Sequence, residues 1–352
     1  MANDLTPAPL RIVSIGGGNG LATLLRGLKR YARVAEGGLE ITAVVTVTDD
    51  GGSSGRLRRE FDVLPPGDIR NCMVALSADE TLLTRLFDYR FSGGRGLKGH
   101  SFGNLFLTAM THLTGDFARA VQLSSEVLAV AGRIYPSTSA NVALEATLAS
   151  GRKVRGETRI SGSAERIRRV ALRPRRAQPL PETLDAIAKA DLITLGPGSL
   201  FTSVIPNLLV EGIPEAIAAS RAVKAYFVNL MWQPGETSEF RASDHVAALL
   251  EHGGSGLGRP LIDVCVVNSH PIRGSALKRY QARDARPVEN DVDTIRRMGI
   301  QVISADLLRM LGRTPDASSS PLKIRHDPGA AAAVVMELVQ SGRARSKRKL
   351  AS

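Results

Sequence analysis

Arg11-Ile12-Val13-Ser14-Ile15-Gly16-Gly17-Gly18-Asn19-Gly20-Leu21-Ala22-Thr23-Leu24-Leu25-Arg26-Gly27-Leu28-Lys29-Arg30 decides the fold. Residues 11–15 read as a buried strand, 16–20 as a glycine loop, and the leucines that follow have helical spacing. Strand, glycine loop and helix together form an anion-binding arrangement, because the free N–H groups at a helix start face an anion. After Gly16 and Gly18, a dinucleotide fingerprint needs its third glycine at position 21, which is Leu21. No Lys-Ser/Thr pair follows the glycines, so the loop is no Walker motif either. What is left is a general nucleotide or phosphosugar loop on an α/β sheet.

The next strand-like run, Ile41–Thr48, ends in Asp49-Asp50-Gly51-Gly52-Ser53-Ser54-Gly55-Arg56. Open α/β sheets bind ligands at the carboxyl ends of their strands. There, two carboxylates can hold a hard cation such as Mg²⁺. Glycine N–H groups, Ser53, Ser54 and the forked Arg56 can meet phosphate oxygens. The same composition also makes a plain solvated turn. A third loop, Gly196-Pro197-Gly198-Ser199, follows the run Asp191–Leu195 as the first follows Arg11–Ile15. Convergence of the three on one crevice is the expectation.

Further runs at Ala225–Leu230, Ile262–Asn268 and Gln301–Ser304 alternate with helical stretches such as Ser243–Glu251 and Ala330–Val339. Short apolar strands between helices predict a mainly parallel sheet in a Rossmann-like three-layer α/β/α fold. Residues 141–173 interrupt the rhythm: Val142–Leu148, Arg152–Ile160 and Arg169–Leu172 read as strands of a small antiparallel excursion. The expected organisation is a flexible leader over 1–9, one α/β domain over 10–340 and a solvated basic tail over 341–352. No internal repeat is visible. Pro65-Pro66-Gly67-Asp68-Ile69-Arg70-Asn71 presents Asp68 as a helix cap, with Arg70 and Asn71 either as ligand groups or as surface groups. In Lys98–Leu105, His100 is either a cap or an acid/base group, and Asn104 is an amide that needs partners if buried.

Composition excludes several classes. Hydrophobic residues make up 43% of the chain, enough for a globular core, and aromatics only 4%, too few for base-stacking platforms. The net charge of +12 is local. Residues 152–176 hold ten Lys/Arg and two Glu (+8), and residues 342–352 add five cations and no acid (+5), so the remainder sums to −1. Specific nucleic-acid binding is therefore not expected. No apolar run reaches the length of a membrane span, and residues 1–9 lack the pattern of a signal peptide. Cys72 and Cys265 lack metal-ligand spacing and read as buried free thiols.

GGGNGLATLLRGLK, TVTDDGGSSGRLRREF, PPGDIRN, GHSFGNL, TGDFARA, TLGPGSLFTSVIPNLL and Asn229-Leu230-Met231 with Gly235-Glu236-Thr237 resemble the YvcK family. Its members are also called gluconeogenesis factors, within the CofD-like superfamily. The resemblance runs in order from about residue 10 to residue 340. It implies a Rossmann-like core, a cytoplasmic bacterial setting and a role in growth on gluconeogenic carbon sources and in cell shape or peptidoglycan supply. It also implies binding of UDP-sugars, notably UDP-N-acetylglucosamine. Carried over residue by residue, the phosphate loop is Gly17, Gly18 and Asn19, where many relatives have Thr in place of Asn19. The acidic pair is Asp49 and Asp50, with Asp50 the metal candidate by similarity to CofD. Tyr280 and Arg325 match the sugar-nucleotide residues of the C-terminal third.

The expected binding set is thus Gly17, Gly18, Asn19, Ser53, Ser54, Arg56, Asn104, Gly196, Gly198, Ser199, Tyr280 and Arg325, with Mg²⁺ at Asp49 and Asp50. Two function classes follow. One is a UDP-sugar-sensing regulator, expected to form a homo-oligomer and open to a Ser/Thr kinase at Thr314 or Ser318–Ser320. The other is a CofD-type Mg²⁺-dependent transferase that moves a phospholactyl group from a guanylyl donor to a deazaflavin.

Overall fold

The computed structural model describes residues 8–32, 35, 38–77, 82–254, 256–310 and 324–351. The kinase candidates Thr314 and Ser318–Ser320, and residues 1–7 of the expected leader, lie outside the described residues.

The opening run forms β1 (Leu10–Gly16), and the second run forms β2 (Leu39–Val45). Then come β3 (Arg133–Pro136), β4 (Ala143–Leu148), β5 (Lys153–Arg155), β6 (Ile167–Arg173), β7 (Leu192–Leu195) and β8 (Val223–Phe227). The last strands are β9 (Val264–Asn268), β10 (Gln301–Ala305), β11 (Leu308–Met310) and β12 (Ile324–His326). Seven strands make one sheet in the order β10-β9-β8-β7-β1-β2-β3, and every pairing in it is parallel. All four residues of β7 are buried, as are the last five of β2, which is why these strands read as continuous apolar runs. The fold is therefore the expected α/β class, with helices flanking a parallel sheet.

From β1 the chain steps outward through β2 to β3, then returns to the other side of β1 at β7 and steps outward again to β10. The direction reverses between β1 and β7. Because crossovers are right-handed, reversal puts the later connecting helices on the face opposite the helix Gly18–Ala32. A crevice opens at such a switch point, outside the carboxyl ends of the two strands.

The sequence reading missed β3. It is four residues long, ends in Pro136 and lies at the sheet edge, where a residue without an N–H is tolerated. The excursion is a three-stranded antiparallel sheet, β5-β4-β6. Within it, residues expected to continue a strand through Ile160 instead form the short helix Glu157–Ser161 after Gly156. Asp68 does not cap its helix: Gly67–Leu76 starts at Pro66, and Asp68 lies in the first turn. The helical stretch read as Ser243–Glu251 is the helix Ala242–Leu249, which starts at Arg241, whose N–H donates to Asp244 at 2.8 Å. The final helix runs from Pro328 to Ala351, through the segment read as a solvated tail. Among the described residues no single helix is long and apolar enough to cross a membrane.

Candidate functional site

The crevice is built by two loops that touch. Gly16 ends β1, Gly17 links it to the next element, and the helix Gly18–Ala32 starts at once. A Cβ on Gly17 would sit 2.6 Å from Thr46 Cγ2 and 2.7 Å from Asp68 Oδ2, so the backbone there is approached from two sides. A Cβ on Gly20 would fall on the Pro197 carbonyl of the loop after β7. Buried Asn207 ties the loops together: its Nδ2 donates to Gly16 O at 3.2 Å and to Ser203 O at 2.8 Å. The positive end of the helix Gly18–Ala32, with no acidic residue in its first turn, therefore points into a cavity of about 510 Å³.

The walls of that cavity include Gly17, Gly18, Asn19, Asp49, Gly198, Ser199, Tyr280 and Arg325 from the expected set. Sequence reasoning did not place Asp68, Glu157, Trp232 or Gln233 in the site, and all four line it. Gln233 Nε2 donates to Ser199 Oγ at 2.6 Å, and its Oε1 accepts from Asn229 Nδ2 at 2.6 Å. On the far rim, the Tyr280 hydroxyl accepts the Ile324 N–H at 3.2 Å, which holds β12 and with it Arg325. Tyr280 thus positions the strand that carries the cation. Beside it, His326 Nε2 donates to Val228 O at 3.2 Å. Burial pushes the His326 imidazole down to about 4, so it is neutral near pH 7 and Arg325 supplies the positive charge on this rim.

The floor is acidic. Burial, then the Asp49 charge, push the Asp68 carboxyl up to about 7, against the pull of the Gly18 N–H and Arg70. Asp49 is raised by burial and by Asp50, although the Gly51 N–H donates to its Oδ1 at 2.8 Å. Glu157 is raised well above the ordinary carboxylate range, first by burial and then by Asp49, Asp68, Glu236 and Asp50. Among the described residues no three His, Cys, Asp or Glu side chains converge as a ready metal cage. A divalent ion held by one or two carboxylates, with its other positions on water and substrate phosphate, is compatible with Asp49 and Asp68.

The other expected residues lie off the crevice. Asp50 Oδ1 accepts from the Thr158 N–H at 2.9 Å and from Thr158 Oγ1 at 2.7 Å, so this carboxylate holds the first turn of the helix Glu157–Ser161. Ser53 Oγ pairs with His100 Nδ1 at 2.9 Å and accepts from Asn104 Nδ2 at 3.1 Å. Ser54 interacts with Asp49 and packs against Gly67. Arg56 donates to Lys98 O at 2.8 Å. Gly196, beneath the crevice, donates its N–H to Ile15 O at 2.9 Å.

Comparison with known proteins agrees with this architecture. Residues 12–308 match the family described as 2-phospho-L-lactate transferase CofD. A Bacillus subtilis (strain 168) protein named gluconeogenesis factor is 46% identical over 330 residues, 94% of this chain and 98% of that protein. A relative from Nostoc sp. is 50% identical over 298 residues, 85% of this chain, and the chain spans 63% of that relative's length. A crystal structure of a Bacillus halodurans protein is similar with a TM-score of 0.84 at 44% identity, covering 94% of this chain and 99% of that one.

Proposed function

We propose, starting from the fact that this chain belongs to the CofD family, that its crevice binds a UDP-sugar, UDP-N-acetylglucosamine. In this reading the protein is a cytoplasmic regulator that serves growth on gluconeogenic carbon and the supply of peptidoglycan precursor. The observation that carries the ligand class is the meeting of the Gly17–Gly20 and Gly196–Ser199 loops at the switch point, with Arg325 across from them. A diphosphate there meets the helix N-terminus on one side and a guanidinium on the other. Trp232 and Tyr280 offer flat faces to a base or sugar. The relative named gluconeogenesis factor supports the physiological part of the reading.

A second reading is a CofD-type transferase using a guanylyl phospholactate donor, and the acidic floor favours it. Asp49 and Asp68 would hold a Mg²⁺ ion that, when bound, neutralises charge on the departing phosphate. Asn19 and Ser199 would orient the donor phosphates, and Glu157, raised well above the ordinary carboxylate range by burial and its neighbours' charge, is the carboxyl suited to hold a proton at the crevice wall. Calorimetric titration with UDP-N-acetylglucosamine, with and without Mg²⁺, separates the readings. Micromolar binding without product supports the regulator. No binding, together with turnover of the guanylyl donor, establishes the transferase instead.

A further inference from the structure

The π-helical turn Leu200–Val204 follows directly on the crevice loop, and the segment Ser199–Ser203 walls two cavities. Ser199 and Ser203 line the crevice, whereas Phe201 lines a second cavity of about 510 Å³. Such turns are uncommon and gather at functional sites. The second cavity has walls of opposite charge. Its cationic wall is the start of β6, with Arg166 and Arg168. β4 pairs Thr147 with Arg169 and Leu148 with Ile167, so Arg168 is an extra residue without a partner on β4. A bulge of this kind re-aims a side chain. The Arg166 guanidinium lies over the Phe240 ring, 5.2 Å from its centroid. Stacking holds the planar group and leaves its N–H edges available. Among the described residues neither guanidinium forms an ion pair. The acidic wall holds Asp244, on the helix Ala242–Leu249, and Glu251, in the turn after it. His252 lines the cavity as a neutral group: its Nδ1 donates to Ala248 O at 2.7 Å, its Nε2 accepts the Val170 N–H at 3.1 Å, and burial lowers its pKa.

We propose that this second cavity binds a phosphorylated sugar, with its phosphate on Arg166 and Arg168 and its hydroxyls on Asp244 and Glu251. The two walls select that chemistry. Guanidiniums take an oxyanion in forked contacts. Carboxylates accept hydrogen bonds and repel a second anion, so the rest of the ligand must offer donors and no further negative charge. A sugar monophosphate meets both demands. A nucleotide is disfavoured, because no aromatic face is open to its base: Phe201 packs edge-on against Phe240 and His252, and Arg166 covers the Phe240 ring. The volume is ordinary for a small-molecule site. The crevice has its own cation, Arg325, so the two sites are separable by substitution, and this one stands whatever the crevice holds.

The test is calorimetric titration of the full chain with glucose 6-phosphate, and with inorganic phosphate alone, for the wild type, Arg168→Ala, Ala247→Trp and Arg325→Ala. Arg168 and Ala247 are exposed, so neither substitution disturbs the core, which an unchanged melting midpoint checks. Arg168→Ala removes a cation, and Ala247→Trp fills the cavity while leaving every charge in place. Saturable binding of glucose 6-phosphate that weakens about tenfold or more in both variants, and is unchanged in Arg325→Ala, supports the proposal. Binding lost in Arg325→Ala and intact in Arg168→Ala puts the anion in the crevice and overturns it. So does the absence of saturable binding up to about 10 mM. Binding that survives Ala247→Trp overturns it too, since a charge effect at the surface would then suffice. Inorganic phosphate held as tightly as glucose 6-phosphate overturns the assignment of a sugar, because the hydroxyls would contribute nothing.

Discussion

Two loops of similar composition do opposite jobs in this protein. Gly16–Gly20, after β1, offers the crevice almost nothing but backbone, and it lines the cavity along nearly its whole length. Asp49–Arg56, after β2, is richer in functional groups, and only Asp49 reaches the cavity. Its remaining polar side chains are engaged with the protein: Asp50 with Thr158, Ser53 with His100 and Asn104, Arg56 with the Lys98 carbonyl. The difference follows from sheet position. The first loop leaves β1 at the switch point, beside β7, whereas the second leaves β2 one strand further out, where the excursion and the helix Phe102–Thr114 close over it. A group's chemistry says what it can bind, and its place relative to the reversal of strand order decides whether a ligand can reach it.

The comparison breaks most severely at Gly20. A Cβ there collides with the Pro197 carbonyl, backbone against backbone, and neither loop can yield without opening the crevice. Gly20→Ala is expected to lower unfolding free energy by roughly 3 kcal/mol and to abolish UDP-sugar binding. A Cβ on Gly52, in the second loop, would meet nothing within 4 Å, although the φ of 46° there is left-handed. Gly52→Ala is accordingly expected to cost only about 1 kcal/mol and to leave binding in place. Chemical denaturation and calorimetry of the two variants check the contrast, and equal losses would remove the distinction between the loops.

Asp68 gives the next largest effect. Its carboxyl has an ordinary value of 3.8 and titrates near 7 in the folded chain. The folded state therefore holds this proton more tightly than the unfolded state. The resulting stabilisation is complete below about pH 4 and is lost as pH rises through 7. Asp68→Asn removes the dependence, so the variant should gain roughly 4 kcal/mol over the wild type at pH 8 and little at pH 4. Melting midpoints across that range read the difference directly. An ion bound between Asp49 and Asp68 would cancel it, so repeating the wild-type series with Mg²⁺ also tests the metal reading.

How much of this was legible beforehand depends on the kind of signal. β1, β2 and β7 to β9 were visible because parallel strands buried on both faces leave apolar runs, β10 was visible although it is a half-exposed edge strand, and β3 was not, because a four-residue edge strand ending in proline leaves none. The glycine loops were visible because their backbone is the functional group. Asp68 and Glu157 were not, since Asp68 looks like an ordinary helix-start acid and Glu157 like a strand residue until the fold turns each toward the crevice. The Asp50–Thr158 contact joins residues 108 apart, through a short helix that local pattern read as strand.

Arg325 sharpens the comparison from the opposite rim. Its side chain is the positive group of the far wall, and it sits on a strand held by Tyr280. Arg325→Ala should weaken UDP-sugar binding by about tenfold, the loss of one charge-assisted contact, with no change in melting midpoint. Tyr280→Phe keeps the ring and deletes the acceptor for the Ile324 N–H. A smaller loss of affinity is expected there, through misplacement of Arg325. Its combination with Arg325→Ala should then be no worse than Arg325→Ala alone. Additive losses in calorimetry would instead mean that the tyrosine touches the ligand independently.

The smallest effect is the one that separates the two carboxylates of the acidic pair. Asp50 satisfies the backbone N–H and the hydroxyl of Thr158, the work of a helix cap supplied from another part of the chain. Asp50→Ala is expected to cost about 1 kcal/mol of stability, as loss of a cap does, while leaving UDP-sugar affinity within about twofold. Asp49→Asn should do the reverse. It removes a desolvated charge from the floor, spares the fold, and relaxes the upward push on Asp68 and Glu157. Any Mg²⁺ dependence of binding should disappear with Asp49 and survive the loss of Asp50. The opposite outcome, with metal dependence lost only in Asp50→Ala, would mean that the helix Glu157–Ser161 releases Asp50 when ligand arrives and that the second loop also serves the crevice.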